Sequence, residues 1–389
     1  EAQIARLARI PAVQLLLTRS RAFASGFVLN ADNAGDVAAL CRRLAGLPLA
    51  LELAAARLRL LSPQQLRARM DTRLLNLAET NPGRPAHHQN LQALLEWSFA
   101  LLSEREQSLL CGISIFAGGC TFGGAAAIGA ALGLDDPQTL ELLGGLMDKS
   151  LLAMDGSTNP PSYRLLDSVR LFAQEQLAAG NHETCVRKAH LAHFVQLSER
   201  VYAEFLGERQ HVWLDRIKRE WANLRAAFDF AMTQPELGDS ALALVGNLCW
   251  YFRGASDYLQ SAQWLERALQ AGRLPTQGRA RALISLGTVL HQSQAHDRAG
   301  PRMREGIALA TQLGEAGLAA AGQAILAFEL ATCRDFPGAE TCVQAALAIS
   351  EAQDDDWVRS LALLSRGVAQ ALNGHHREAE ASIDRKSVV

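Results

Sequence analysis

Small residues recur at a spacing of forty in the last third of the chain, and this period constrains the fold more than any other feature. Two series share the period, namely Gly287, Ala327 and Gly367, and Ala299, Ala339 and Ala379. Large apolar residues keep the same phase at Met303, Val343 and Ile383. Because helices approach closely only where side chains are small, the period predicts stacked helix pairs. Such an array forms a solenoid whose concave face binds peptides or ligands.

The composition favours helices along the whole chain. Of the 389 residues, 49% are hydrophobic and only 6% are aromatic, which predicts a mainly α protein of roughly two to four domains. The net charge of -2 gives the chain as a whole no electrostatic footprint for nucleic acid or an anionic membrane. The charge is uneven, with 12 Lys/Arg against 6 Asp/Glu in residues 1–86 and 4 against 10 in residues 87–178.

Apolar residues at helical spacing predict a small basic helical bundle over residues 1–84. Gly46 predicts the end of one helix, because glycine readily adopts the backbone conformation of a helix terminus. Pro48 predicts the first turn of the next helix, where its missing N–H group costs nothing. The segment Asn81–Pro85 contains two prolines and a glycine and predicts the linker after this bundle.

Residues 85–178 carry the pattern of a winged helix. Ser103, followed three residues later by Glu106, is typical of a capping box at the start of a helix. Two short extended runs, at residues 151–154 and 163–166, flank a turn-rich loop and predict a β-hairpin. Three helices followed by a hairpin is the winged-helix order, so the hairpin is predicted to be the wing.

The rest of the chain is predicted to be helical throughout. An apolar stripe at spacings of four and three, from Trp213 to Phe228, predicts bridging helices over residues 179–235. The repeat array then occupies residues 236–389. The predicted fold is therefore mainly α: a helical lid bundle, a winged helix with a small β-hairpin, and an α-solenoid of helix pairs.

The sharpest local motif is Gly-Leu-Pro-Leu-Ala at residues 46–50. By residue type alone it is a helix end, a turn and a helix restart, which many helix pairs share. Followed by residues 52–57, it resembles the lid of the NB-ARC (STAND) class of signal-transduction ATPases. It is most similar to the bacterial transcriptional regulators that join this ATPase to tetratricopeptide repeats. The likeness covers residues 4–230 in order, and the forty-residue repeats resemble the tetratricopeptide pattern with a lengthened loop.

The resemblance implies that Gly46, Leu47 and Pro48 bind the nucleotide, with the Pro48 ring against the adenine of ATP or ADP. The alternative is plain helix-turn packing at Pro48. A phosphate-binding loop and its Mg²⁺ are expected upstream of Glu1, so the chain is expected to be a fragment that binds no nucleotide alone. Lys149 and the serine after it lack the glycines of such a loop. No catalytic residue is predicted, whereas the intact protein is expected to be a slow ATPase.

The chain departs from the family pattern at the wing. Many relatives carry a Met-His-Asp triplet whose histidine contacts the β-phosphate, but the aligned residues here are Leu165, Leu166 and Asp167. Leucine can neither donate a hydrogen bond nor carry a charge, so Leu166 cannot make that contact. Asp167 is expected to cap or brace the helix that follows.

Five arginines form a basic cluster beside the predicted lid, namely Arg57, Arg59, Arg67, Arg69 and Arg73. A solvated helix face is the simpler interpretation. The alternative is that some of them approach nucleotide phosphates or the acidic winged helix, a neighbour of opposite charge.

No metal site is predicted. The histidine clusters are His87 with His88, His190 with His193, and His375 with His376, and none has cysteine or carboxylate partners at zinc-ligand spacing. The seven cysteines also lack such spacing and are expected to be buried, reduced thiols.

These observations predict part of an ATP/ADP-switched signal-transduction regulator, of transcription by the resemblance. A protein or small-molecule inducer would bind the repeats, while lid and winged helix would gate the nucleotide. DNA is expected to be bound by a separate effector domain, because the winged-helix segment is acidic. A nucleotide-dependent oligomer is left open.

Two alternatives remain: a passive tetratricopeptide scaffold for protein interactions, and a DNA-binding winged-helix protein. The sequence contains neither a signal pattern at its start nor an apolar run long enough to span a bilayer. A cytoplasmic location without a membrane partner is therefore the expectation.

Overall fold

The computed structural model describes residues 2–23, 27–44, 46–70, 86–254 and 257–386. These residues are mainly helical, as predicted, and their strands belong to one small sheet. The chain divides into two compact units, residues 1–190 and 191–389. The finer division into lid, winged helix, bridge and repeats stays a prediction, and the predicted linker Asn81–Pro85 lies outside the described residues.

The first unit begins with the helices of the predicted lid. They are α1 (Ala2–Leu7), α2 (Pro11–Phe23), α3 (Ala34–Arg43), α4 (Pro48–Arg57) and α5 (residues 63–70). Helices α2 and α4 pack together, and both contribute fully buried leucines such as Leu16 and Leu53. Arg19 of α2 also forms an ion pair with Glu52 of α4 at 3.0 Å. This packing fixes the position of the turn that precedes α4.

The winged-helix region follows. Its helices are α6 (Ala86–Ala100), α7 (Glu104–Ile113), α8 (Phe122–Ala131), α9 (Asp136–Asp148) and α10 (Asp167–Ala179). The capping box predicted at Ser103 is confirmed: its hydroxyl accepts from the N–H of Glu106, and the Glu106 carboxylate accepts from the N–H of Ser103 at 2.9 Å. Buried Leu109, Ile128 and Leu146 bring three of these helices into one core.

The sheet contains three short antiparallel strands in the order β1-β3-β2. They are β1 (Cys120–Thr121), β2 (Ala153–Asp155) and β3 (Ser162–Arg164). Tyr163 of β3 lies opposite Cys120 on one side and Met154 on the other. The predicted hairpin is confirmed, but its strands are shorter than the extended runs. Leu152 and Leu165 pack in the core beyond the ladder.

Helices fill the remainder of the described chain. They are α11 (Glu183–Glu204), α12 (Gln210–Met232), a 3₁₀ turn (Pro235–Leu237), α13 (Gly238–Asn247), α14 (Cys249–Gly254), α15 (Tyr258–Ala271), α16 (Gln277–Gln292), α17 (His296–Gln312), α18 (Ala316–Thr332), α19 (Phe336–Gln353), α20 (Asp356–Leu372) and α21 (His376–Lys386). Among the helices described, none is long and apolar enough to cross a membrane.

The forty-residue period marks close helix contacts, as predicted. A Cβ at Gly287 would stand 2.4 Å from Cγ of Met303, and one at Gly367 would stand 2.7 Å from Cγ1 of Ile383. Both distances are shorter than van der Waals contact, so only glycine allows α16 to meet α17, and α20 to meet α21, this closely. The repeats are therefore helix pairs with a small residue at the crossing, glycine at Gly287 and Gly367 and alanine at Ala327.

Candidate functional site

The turn predicted to contact a nucleotide lies between α3 and α4. Gly46 has a φ of +66°, in the left-handed region, and its N–H donates to the carbonyl of Cys41 at 3.1 Å. Leu47 is extended and its carbonyl accepts from the N–H of Leu51 at 3.0 Å. Pro48 occupies the first position of α4, where no N–H partner is needed. Local residue types therefore determine the shape of this turn.

The turn presents its apolar ring to solvent. Gly46 and Pro48 are exposed, and Leu47 is half-buried. The atom nearest to a Cβ built at Gly46 is Cβ of Ala12, at 3.8 Å, so the left-handed backbone rather than lack of space requires glycine. A rigid exposed ring can cover the face of a planar base without any hydrogen bond. The role of these three residues in nucleotide binding stays a prediction.

Arg57, at the end of α4, does not lie on a solvated face. It is 4% exposed, and its guanidinium lies 6.0 Å from the centroid of the Trp97 ring. Its Nη2 donates to the carbonyl of Ser98 at 3.5 Å. Burial lowers the pKa of the Arg57 guanidinium. This arginine therefore joins the last turn of α4 to α6.

The other arginines of the basic cluster are more accessible. Arg67 is half-buried and pairs with Asp36 at 2.6 Å, whereas Arg59 and Arg69 are exposed. Arg73 lies outside the described residues. The solvated-face interpretation thus fits Arg59 and Arg69. Arg57 instead contacts α6, within the segment predicted to be the winged-helix region.

The wing residues at which the sequence departs from the resembled family pattern lie at the start of α10. Leu165 is buried, Leu166 is 42% exposed, and the Asp167 side chain is 95% exposed. A cavity of about 310 Å³ beside them is also lined by Arg164 and Arg170. Because Leu166 offers no polar atom, any charge complementary to a phosphate at this cavity comes from the two guanidinium groups.

A second cavity, of about 450 Å³, lies in the second unit and has mainly apolar walls. Trp250 and Trp357 pack edge to face there with ring centroids 4.7 Å apart, beside Phe205 and Leu361. Arg253 also lines the cavity, and burial lowers the pKa of its guanidinium. Among the described residues Arg253 has no ion-pair partner. The Arg253 guanidinium can attract a negative charge while the aromatic walls contact apolar groups, so the cavity is suited to an apolar anion.

Three titratable side chains that sequence reasoning missed meet in the repeats. Nδ1 of His291 lies 2.6 Å from Oε2 of Glu329, and Nδ1 of His296 lies 3.0 Å from the same oxygen. Glu329 is 2% exposed, whereas the histidine side chains are 26% and 32% exposed. Burial alone would raise the pKa of Glu329, but the two histidine hydrogen bonds outweigh it and hold this pKa below its ordinary value.

Among the side chains that the structure describes, the histidine clusters noted in the sequence form no comparable set. His190 is buried, and Nδ1 of His375 lies 3.6 Å from Oε2 of Glu378 at the surface. The side chains of His87 and His88 lie outside the described residues. Adjacent histidines were thus a poor guide to which histidines share a partner.

The prediction of buried cysteines is wrong at two positions. Cys185 and Cys333 are exposed, because each lies close to a helix terminus. Sγ of Cys333 lies 3.5 Å from Oε1 of Glu329, beside the histidine cluster. Cys333 therefore places an accessible thiol at the edge of the three-residue site.

The winged-helix region is similar to a known protein family. Residues 102–178 match the family model described as "Winged helix-turn-helix domain", which spans α7 to α10 and all three strands. This part of the chain has the predicted winged-helix fold. The match lies within the predicted segment 85–178 and agrees with the helix and strand order of the structure.

Relatives extend the likeness to nearly the whole chain. A protein of Mycobacterium tuberculosis named "Putative HTH-type transcriptional regulator Rv0890c" is 31% identical over 383 residues, covering 96% of this chain and 43% of the relative. The Mycobacterium bovis protein named "Putative HTH-type transcriptional regulator Mb0914c" matches equally. The chain thus spans less than half the length of these relatives. The predicted resemblance to bacterial regulators of this class is confirmed.

Two further likenesses are more limited. "Uncharacterized protein Rv0894" of Mycobacterium tuberculosis is 39% identical over 201 residues, which is 51% of each chain. A solved structure from Pyrococcus horikoshii, a Signal Transduction ATPase with Numerous Domains with a tetratricopeptide repeat sensor, aligns at a TM-score of 0.40 and 13% identity. It covers 97% of this chain and 59% of the other.

The helix of the winged helix-turn-helix domain that could enter a DNA groove is acidic. Asp136, Glu141 and Asp148 of α9 are all exposed. Lys149, which follows α9, is engaged in an ion pair with Glu106. The exposed surface of this helix therefore opposes the phosphate backbone of DNA.

Proposed function

We propose that this chain is part of a longer ATP/ADP-switched regulator of transcription, in which the lid and the winged helix-turn-helix domain gate the nucleotide. The observation that carries the proposal is the exposed Pro48 ring on a turn of fixed shape. The ring favours the first turn of α4 through its backbone geometry, and its exposed face remains accessible to a ligand. An adenine base that stacks on Pro48 would cover this exposed ring.

The contact of Arg57 with α6 supports a mechanical link from this turn to the helix that directly precedes the winged helix-turn-helix domain. Pro48 and Arg57 are the first and last residues of α4. A nucleotide that displaces Pro48 would therefore move Arg57 against Trp97 through one rigid helix. Two alternative packings of this contact would make the nucleotide a differential ligand.

The wing would contribute charge rather than a histidine contact. Arg164 and Arg170 line the cavity beside Leu166, so they are the groups we expect to meet a phosphate there. A nucleotide held in this way would depend on its adenine at Pro48 and on guanidinium groups at the phosphates. The remaining phosphate ligands and Mg²⁺ would come from another segment of the intact protein.

The inducer would bind in the second unit. The cavity offers apolar walls and the guanidinium of Arg253, which pairs with no carboxylate among the described residues, and this combination favours a small apolar anion. Anilinonaphthalene sulfonate, an apolar anion whose fluorescence rises on binding, is a suitable probe. We expect Arg253→Gln to weaken its binding about fivefold, whereas exposed Arg273→Gln leaves it unchanged.

Nucleotide binding tests the proposal. A protein that carries this chain after a segment with a phosphate-binding loop is titrated with fluorescent ADP. We expect Pro48→Arg to weaken ADP binding by on the order of tenfold or more, because the charged side chain cannot cover adenine. Pro337→Arg is the matched control, since Pro337 is also exposed in the first turn of a helix but belongs to the second unit.

Equal ADP affinity for the two variants would contradict the role of Pro48. A longer protein that binds neither ATP nor ADP would favour the passive scaffold. The DNA-binding alternative has the acidic surface of α9 against it, and a sequence-specific mobility shift with this chain at moderate salt would reinstate it.

A further inference from the structure

The cluster around Glu329 joins three consecutive helices of the repeats. His291 lies at the end of α16, His296 begins α17, and Glu329 lies in α18. One ligand atom from each side chain lies within 4.8 Å of the other two. The ligands of a tetrahedral zinc ion are roughly 3.3 Å apart, because Zn–N and Zn–O bonds are about 2.0–2.2 Å long. Small side-chain rotations would therefore suffice to admit an ion.

The carboxylate of Glu329 lacks a fixed positive partner. Within the described part of the chain, no lysine or arginine pairs with it, and a histidine is charged only when protonated. The hydrogen bonds to His291 and His296 compensate part of the cost of burying this carboxylate, but they supply no fixed positive charge. A divalent cation between the carboxylate and two neutral imidazoles would supply that charge.

We infer that His291, His296 and Glu329 form a binding site for a zinc-class divalent metal ion. Two imidazoles and one carboxylate are ligand types that zinc takes when a fourth position is open to water. Both histidine side chains are partly exposed, so an ion can enter from their side. The site ties α16, α17 and α18 together without any residue of the turn at Gly46–Pro48.

Zinc titration of the full chain tests the site. After chelator treatment, isothermal titration calorimetry with Zn²⁺ alone is expected to show one ion per chain. His291→Ala and His296→Gln should each weaken binding about tenfold or more, and the glutamine retains a hydrogen-bond donor for Glu329 should the alanine variant not fold. His375→Ala is the matched control, since His375 pairs with Glu378 on the exposed repeat surface.

Thiol reactivity gives a second readout. Zinc bound at Glu329 should slow alkylation of Cys333, which adjoins it, but not of Cys185, the other exposed cysteine. In His296→Gln the zinc effect on Cys333 should disappear.

Three results would overturn the inference: no zinc binding at micromolar concentrations, unchanged affinity in His291→Ala and His296→Gln, or loss of binding in His375→Ala. None of them bears on nucleotide binding, so the two proposals fail separately.

Discussion

The turn at Gly46–Pro48 and the cluster around Glu329 are opposite kinds of candidate site. The turn is exposed, apolar and formed by consecutive residues. The cluster is centred on a carboxylate that is 2% exposed, and its members come from three helices. The exposed Pro48 ring can contribute only by contacting a ligand, whereas the cluster already contains hydrogen bonds between its own side chains. Substitution of Pro48 should therefore affect binding, and substitution in the cluster should affect stability.

The largest stability effect is expected at Glu329. Glu329→Ala removes the shared acceptor of His291 and His296 and should lower the free energy of unfolding of the second unit by about 2–3 kcal/mol. Hydrogen exchange monitored by mass spectrometry resolves the two units and measures the change. Glu305→Ala, which breaks the exposed pair with Arg302, should cost only about 0–1 kcal/mol. Equal losses would remove the distinction between buried and exposed carboxylates.

A smaller effect is expected at Gly46. Its φ of +66° strains any residue with a Cβ, so Gly46→Ala should destabilise the lid by about 1 kcal/mol. Gly35→Ala is the control of opposite sign: this glycine lies in α3 with nothing within 4 Å of its built Cβ. That change should stabilise the lid by about 0.5–1 kcal/mol. Destabilisation by both would mean that the left-handed backbone at Gly46 does not explain the effect.

Acid should weaken the second unit through His193. Burial, with Arg200 and Arg216 adding to it, lowers the pKa of His193 from 6.5 to about 4. Between those values the unfolded chain binds a proton that the folded chain does not, so stability falls as pH falls through this window. His193→Gln should flatten the dependence of unfolding free energy on pH between about 6.5 and 4. An unchanged slope would mean that His193 titrates normally.

The smallest stability effect is expected at Pro48. Because the ring is exposed, Pro48→Ala should change the free energy of unfolding of this chain by no more than about 0.5 kcal/mol. Thermal unfolding, monitored by circular dichroism, measures this change. A loss several times larger would assign Pro48 to packing and favour the helix-turn interpretation.

Local signals in the sequence were enough for much of the fold. The capping box at Ser103, the start of α4 at Pro48 and the glycine crossings at Gly287 and Gly367 follow from residue types at fixed spacing. Each of these features depends on a few neighbouring residues or on a regular period, and both are visible in one sequence.

The features that sequence reasoning missed depend on long-range packing. His291 and Glu329 are 38 residues apart and meet only because α16 and α18 are neighbours in the array. For Arg57 a solvated helix face was the simpler interpretation and contact with the winged-helix region the alternative, and the residue is buried on Trp97. Neither contact has a local sequence signature, since register between helices decides which side chains face each other.

Hydrogen exchange of the longer protein, with and without ADP, reports directly on whether the nucleotide contacts Pro48. We expect ADP to slow exchange of the amides from Leu47 to Leu51, because the base covers the start of α4. The comparable start of α19, from Phe336 onward, should be unaffected. If ADP binds and residues 47–51 exchange at the same rate as without it, Pro48 does not contact the nucleotide and its proposed role is wrong.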